Sequence, residues 1–132
     1  MMGTIMTDVT PLQGELQTQI MTAVWKLEEG TVEQIRRALP EANQGAYNTV
    51  QTVLNRLADR GLLERRREGH VIVYAPALSE ADYLSRSIEH TMRSATPQAR
   101  QVALAQLIGS LPTDEADDLR RLADEVATER MR

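Results

Sequence analysis

The stretch Gly45–Pro76 reads GAYNTVQTVLNRLADRGLLERRREGHVIVYAP, and its hydrophobic period changes once along its length. In the first half, apolar residues recur every three or four positions, which predicts a helix that Gly61 ends. The apolar face of this helix carries Ala46, Val50, Val53, Leu54, Leu57 and Ala58. In the second half, Arg65–Arg67, a Glu68-Gly69 turn and the β-branched return Val71–Tyr74 predict a two-stranded hairpin.

Two helical patterns precede this stretch. The first is carried by Leu12, Leu16, Ile20, Val24 and Leu27, and we expect Gly30 to close it. The second starts at Thr31, which has the capping-box spacing to Gln34, and ends at Pro40. Three helices followed by a basic hairpin are typical of a winged helix-turn-helix. We therefore predict a DNA-binding head over residues 1–78.

Three further helical patterns follow Leu78. Ser79, Thr96-Pro97 and Pro112-Thr113 mark their starts. Their apolar stripes include Tyr83, Leu84, Ile88, Leu107, Ile108, Leu111, Leu119, Leu122 and Val126. Residues 79–132 are near the lower size limit for an independent core, so these stripes need a partner surface. We predict a helical dimerisation domain there, and a homodimeric protein that is mainly α with a small two-stranded β-hairpin.

Composition narrows the function classes. The chain has 132 residues, 42% of them hydrophobic, with no cysteine and one histidine in each predicted domain, His70 and His90. It lacks a glycine-rich phosphate loop and a nucleophile with an evident base, so we expect no enzyme, no metal site and no cofactor. Met1–Pro11 does not resemble a signal peptide, and no stretch approaches the roughly 20 apolar residues that span a bilayer. We expect a cytoplasmic protein without membrane insertion.

The net charge of −4 argues mildly against a nucleic-acid partner, but the basic residues are concentrated. Between Arg56 and His70, five arginines stand against three carboxylates. The polar face of the third helix carries Asn48, Gln51, Thr52 and Asn55, which are residue types that read base edges. Arg36, Arg37, Arg56 and Arg60 could contact phosphates, and Arg65, Arg66, Arg67 and His70 lie where a wing would touch the backbone or minor groove.

The same stretch resembles the penicillinase and methicillin-resistance repressors, the BlaI/MecI-type family. The matching positions are Tyr47, Thr49, Val50, Thr52, Val53, Leu54, Asn55, Arg56, Leu57, Arg60, Gly61, Leu62, Leu63 and Tyr74. The resemblance extends over Leu12–Leu27, with Glu15 and Trp25 in the family's places, and over Gly30–Leu39. It implies a homodimer that binds a double-stranded palindromic operator and represses transcription. It also adds Tyr47 and Thr49 to the DNA-contacting residues.

Some family features are missing. Gln51 stands where the family commonly has Lys, and Asn48 where it has Thr, so the operator sequence does not carry over. A cysteine-rich tail for copper sensing is absent. The resemblance implies release from DNA when a membrane-bound sensor metalloprotease cuts an Asn-Phe bond in the tail. This chain has no Phe, so we expect a cut near Ala95-Thr96 instead, or no cut.

Two other readings remain open at the level of sequence. A winged-helix regulator of another family could sense a small molecule between head and tail, and would need an apolar pocket there. A winged-helix module used only for protein contact would show no salt-dependent DNA affinity.

Overall fold

The computed structural model describes residues 8–12 and 14–131. Residues 1–7, Gln13 and Arg132 lie outside the described residues. Two predictions fall partly on residues 1–7: the start of the head, and the expectation that Met1–Pro11 is not a signal peptide. The described part of the chain forms the following α-helices and strands: α1 Glu15–Leu27, β1 Gly30–Thr31, α2 Val32–Ala38, α3 Tyr47–Asp59, β2 Leu63–Glu68, β3 Val71–Pro76, α4 Glu80–Met92, α5 Pro97–Gly109 and α6 Thr113–Arg130. A 3₁₀ turn, Glu41–Asn43, separates α2 from α3.

The chain divides into two compact units, Met1–Thr91 and Met92–Arg132. The division comes later in the chain than the predicted functional boundary at Leu78, which stays a prediction. In packing terms almost all of α4 belongs with the first unit, because Tyr83 and Ser87 on one face of this helix are buried there.

The first unit has an aliphatic core. Its fully buried side chains come from α1, α2 and α3, from the residue before β2 and from β3, and they include Ile20, Met21, Val24, Ile35, Val50, Leu54, Leu57, Leu62 and Tyr74. Leu12, Leu16, Trp25 and Leu78 pack against this cluster from its margin. The predicted winged helix-turn-helix fold is confirmed, and the helix-turn-helix pair α2 and α3 is anchored by this core.

Local signals set the helix ends. The capping box is present, since the Gln34 amide donates to Thr31 Oγ1 at 3.3 Å and the Thr31 amide donates to Gln34 Oε1 at 2.9 Å. Gly61 ends α3 with φ 82°, and the Leu62 amide returns to the carbonyl of Leu57 at 3.0 Å, which is the Schellman arrangement that favours glycine. These two predicted boundaries are therefore confirmed.

Gly30 has a different role from the one predicted. Helix α1 already ends at Leu27, with Glu28 in a left-handed conformation at φ 71°. Gly30 instead pairs with Tyr74 in the sheet, and a Cβ atom there would approach Ile35 Cγ1 to 3.3 Å. A side chain at this position would crowd Ile35 of α2, and the prediction that Gly30 closes the first helix is wrong.

The sheet is antiparallel with strand order β1-β3-β2. Strands β2 and β3 form the predicted hairpin, but Glu68 pairs with Val71, so the turn residues are Gly69 and His70 instead of Glu68 and Gly69. Gly69 has φ 63° at the first turn position, where a type II′ turn requires glycine. The additional strand β1 has two residues, too few to give an alternating pattern in the sequence.

The second unit is helical and open. Thr96 caps α5 by accepting the Ala99 amide at 3.2 Å, and Pro97 is the first residue of the helix, as predicted. No residue of α5 or α6 is buried, and both helices lie wholly within the described residues. None of the described helices is both long enough and apolar enough to cross a membrane.

Candidate DNA-binding surface

The polar face of α3 lies opposite the buried stripe that includes Val50, Leu54 and Leu57. Tyr47, Asn48, Thr49, Thr52 and Arg56 are exposed, while Gln51 and Asn55 are half-buried. The helix begins without a side-chain cap at Ala46, so its first backbone N–H groups are available to a phosphate oxygen. The first two turns of α3 therefore present amide, hydroxyl and backbone groups of the kinds that contact a major groove.

Thr52 uses its hydroxyl within the helix, donating to the carbonyl of Asn48 at 2.9 Å. Its methyl group remains available for an apolar contact, such as that with the C5-methyl of thymine. Asn48 and Gln51 carry side-chain amides on this face, and an amide can offer a donor and an acceptor side by side to an adenine edge.

Asn55 joins α3 to the hairpin strands β2 and β3, a role that the sequence did not reveal. Its Oδ1 atom accepts from the Tyr74 hydroxyl at 2.8 Å and from Arg65 Nη1 at 3.2 Å. Burial raises the pKa of Tyr74, so its phenol stays protonated and remains a donor at neutral pH. The side-chain NH₂ of Asn55 is the group left for a base, and this residue therefore has less freedom than the other polar residues of α3.

The arginines of the wing, defined here as β2, β3 and their turn, differ in their partners. Arg65 pairs with Asp59 at 3.2 Å, and Arg66 lies between Glu29 and Glu68 at 2.8 and 2.7 Å. The hydrogen bond from Arg66 lowers the pKa of Glu29, which therefore stays ionised and holds the guanidinium in place.

Arg56 and Arg67 are exposed and form no ion pair within the described residues. His70 is an exposed residue of the turn at the tip of the wing. Within the described residues the charges of Arg65 and Arg66 are thus partly neutralised by carboxylates, whereas those of Arg56 and Arg67 are not.

Arg60, which follows α3, is bound to residues Asp8 and Thr10. Its guanidinium forms an ion pair with Asp8, with Nε and Oδ2 3.2 Å apart, and donates to the carbonyls of Asp8 and Thr10. The predicted phosphate contact by Arg60 is therefore not carried forward, because the side chain is already used inside the first unit. A sequence pattern has no signal for this, since Asp8 and Arg60 are far apart in the chain.

Arg36 and Arg37 share Glu33, at 2.6 and 3.0 Å. The hydrogen bond from Arg36 is the main cause that lowers the pKa of Glu33 to about 2. Arg36 also reaches the carbonyl of Gly45 at 3.5 Å, in the loop that leads into α3. Arg36 thus supports the loop at the start of α3, while Arg37 remains largely exposed.

Among residues 8–12 and 14–131, no group of three or more potential ligands could hold a metal ion. The fold, the exposed polar face of α3 and the arginine-bearing hairpin define the class of this protein as a winged-helix DNA-binding regulator.

Comparisons with known proteins identify the family. The penicillinase repressor family matches residues 13–125. The transcriptional regulator BlaI of Mycobacterium tuberculosis is 33% identical over 115 residues, which are 86% of this chain and 83% of that protein. The penicillinase repressor of Bacillus licheniformis is 30% identical over 74 residues, which are 56% of this chain and 58% of that protein.

The solution structure of the DNA-binding domain of the repressor BlaI also matches, with TM-score 0.50 and 29% identity. The match covers 59% of this chain and 94% of that domain. The chain belongs to the penicillinase repressor family. It is a DNA-binding transcriptional repressor and not an enzyme, and this assignment decides against a winged-helix regulator of another family.

Proposed function

We propose that this repressor acts in the cytoplasm as a homodimer on a palindromic operator. The observation that carries the proposal is the set of large apolar side chains that the second unit leaves exposed: Val102, Leu104, Leu107, Ile108, Leu119, Leu122 and Val126, each 39–59% exposed. Leu84 and Ile88 on α4 are similarly exposed. Large exposed apolar side chains on successive helices are typical of an interface, and a second copy of the chain supplies the same side chains in return.

The predicted dimer residues differ in how well they suit this role. Tyr83 is only 7% exposed and lies in the core of the first unit, so it is dropped from the proposed interface. Leu111 is half-buried, whereas the other predicted residues are exposed. The proposed interface therefore consists of Leu84, Ile88, Leu107, Ile108, Leu111, Leu119, Leu122 and Val126.

Two-fold symmetry dictates the form of the operator. Two identical recognition helices related by a dyad enter successive major grooves about one helical turn apart, so their half-sites form a palindrome. We assign base reading to Asn48, Thr49, Gln51 and Thr52, with Tyr47 and the Asn55 amide group beside them. Arg56, Arg65, Arg66, Arg67 and His70 contact the sugar-phosphate backbone in this proposal.

Two measurements test this function. DNA fragments retained by the purified protein from the genome of its source should share an inverted repeat, and sedimentation should show a dimer. Leu122→Gln should shift the protein toward monomer, whereas the matched variant Arg121→Gln should not, since Arg121 lies on the other side of α6 in an ion pair with Asp118. A monomeric wild-type protein, or retained fragments without a repeat, would contradict the proposal.

We further propose that a membrane-bound sensor protease releases the repressor by cutting between α4 and α5. Ala95 and Thr96 lie in this connection, since α4 ends at Met92 and α5 begins at Pro97. Such a cut would detach α5 and α6 and leave the first unit without most of the proposed interface. Immunoblots after exposure of the host to a β-lactam should show a fragment ending near Ala95. Loss of operator occupancy with the chain intact would point to another release mechanism.

A further inference from the structure

The segment Asp8–Leu12, named here the N-terminal strap, is bound to Arg60 at the C-terminal end of α3. The Asp8 amide donates to the carbonyl of Arg60 at 2.7 Å. The Arg60 guanidinium returns hydrogen bonds to the carbonyls of Asp8 and Thr10 at 3.1 and 2.5 Å. All three bonds involve main-chain atoms of the strap, so they hold its backbone; one joins main chain to main chain, and the Arg60 side chain supplies the other two.

The same strap is also bound to α4. The Leu12 amide donates to the Tyr83 hydroxyl at 2.8 Å, and Ser87 Oγ donates to the carbonyl of Val9 at 2.9 Å. Tyr83 and Ser87 are four residues apart and therefore lie on one face of α4, where both are buried. Leu12 packs against the core of the first unit next to these bonds.

Helix α4 thus has two faces with different surroundings. Tyr83 and Ser87 face the strap, whereas Leu84 and Ile88 are 52% and 47% exposed and belong to the proposed dimer interface. The strap connects the end of α3, the helix assigned to base reading, with the helix that begins the proposed interface. Hydrogen bonds are directional, so bonds at both edges of the strap fix the angle between α3 and α4 more tightly than apolar contact alone.

We propose that Tyr83 and Ser87 are positioning residues that hold α3 and α4 at a fixed angle through the N-terminal strap, and so set the half-site spacing that the dimer accepts. The inference rests on the proposed dimeric function. Adding one base pair at the operator dyad moves the second half-site by about 3.4 Å and turns it by about 34°. A rigid connection between α3 and α4 rejects such a change, whereas a loosened connection tolerates it.

The experiment compares full-length wild type with Tyr83→Phe, Ser87→Ala and the double variant. Tyr83→Phe keeps the ring beside Trp25, whose centroid lies 5.6 Å away, and removes only the hydroxyl bonded to Leu12. Ser85→Ala is the matched control, because Ser85 is an exposed serine of the same helix. Affinity is measured for the operator selected from genomic DNA, for operators with one base pair added or removed at the dyad, and for one half-site.

We expect wild type and Ser85→Ala to bind the altered operators at least about tenfold more weakly than the selected operator. This ratio should fall about threefold in each single variant and further in the double variant, while half-site affinity stays within twofold of wild type. Faster amide exchange at Leu12 in Tyr83→Phe should accompany the change. Unaltered spacing ratios in all three folded variants would overturn the role of the strap alone. A wild-type protein that ignores spacing would overturn the proposed dimeric recognition as well.

Discussion

The two units of this repressor are built from similar amphipathic helices, but only the first has a closed core. In the first unit, Leu54 of α3 and Ile20 of α1 are fully buried, and Tyr74 of the hairpin completes the core. In the second unit, α5 and α6 leave their large apolar residues exposed. The difference shows that an apolar stripe becomes a core only when another element faces it. The head has such elements within one chain, and the tail is proposed to obtain them from a second copy.

The largest effect is expected from removing the second unit. A chain that ends at Met92 should stay folded and monomeric, and should lose about 10²–10⁴-fold in operator affinity, because linking two heads supplies effective concentration. Sedimentation and operator titration measure the two effects.

The same experiment can be sharpened with a shorter chain. A chain that ends at Leu78, the predicted boundary, also loses Tyr83 from the core, so its free energy of unfolding should be lower by about 3–5 kcal/mol. Equal stability of the two truncated chains would show that α4 is not part of the core of the first unit.

Shortening one buried side chain tests the difference between the two units directly. Leu54→Ala should lower the free energy of unfolding by about 2–5 kcal/mol, since this side chain is fully buried. Leu122→Ala, a change of the same size in α6, should leave the unfolding of the head unchanged and weaken self-association instead. Denaturant titrations at several protein concentrations separate the two outcomes. A large, concentration-independent loss of stability in Leu122→Ala would mean that the tail has a core of its own.

Within the head, base reading and phosphate binding should separate. Gln51→Ala or Thr52→Ala should lose about 1–3 kcal/mol of preference for the operator over random DNA. Arg56→Ala or Arg67→Ala should weaken binding to both, and each should lower the salt slope by about one. Competition binding at several salt concentrations gives both quantities. Equal losses on the two kinds of DNA for all four variants would contradict the assignment.

The smallest effect concerns the ion pair between Glu33 and Arg36 in α2 and its dependence on pH. The pKa of Glu33 is lowered from 4.5 to about 2 by Arg36, so its ion pair stabilises the folded state above about pH 4.5. This contribution should disappear as the pH falls from about 4.5 toward about 2. Wild type should therefore be slightly more stable than Glu33→Gln at pH 7, with a difference that vanishes at low pH and shrinks in high salt. Glu125→Gln, which removes one carboxylate from α6, controls for net charge. A difference that does not shrink as the pH falls from about 4.5 to about 2 would exclude the ion pair as its cause.

Local sequence signals predicted most of the first unit. The spacing of Thr31 and Gln34 gave the start of α2, and Gly61 gave the end of α3, because both signals act through hydrogen bonds to near neighbours in the chain. The polar face of α3 was predictable for the same reason, since helical periodicity alone divides it from the buried face. By contrast, the two-residue strand β1 is too short to leave a periodic pattern.

The sequence by itself determined the order of helices and hairpin, the absence of cysteine chemistry and the concentration of arginine between Arg56 and His70. Only the tertiary structure decided which predicted residues are free to act. It places Asn55 against Tyr74, Arg60 against the N-terminal strap and Tyr83 inside the core. The partners of Arg60 and Tyr83 are about 50 and 70 residues away in the chain. Periodicity reports which face of a helix is apolar, but not which distant group meets a given side chain when the chain folds.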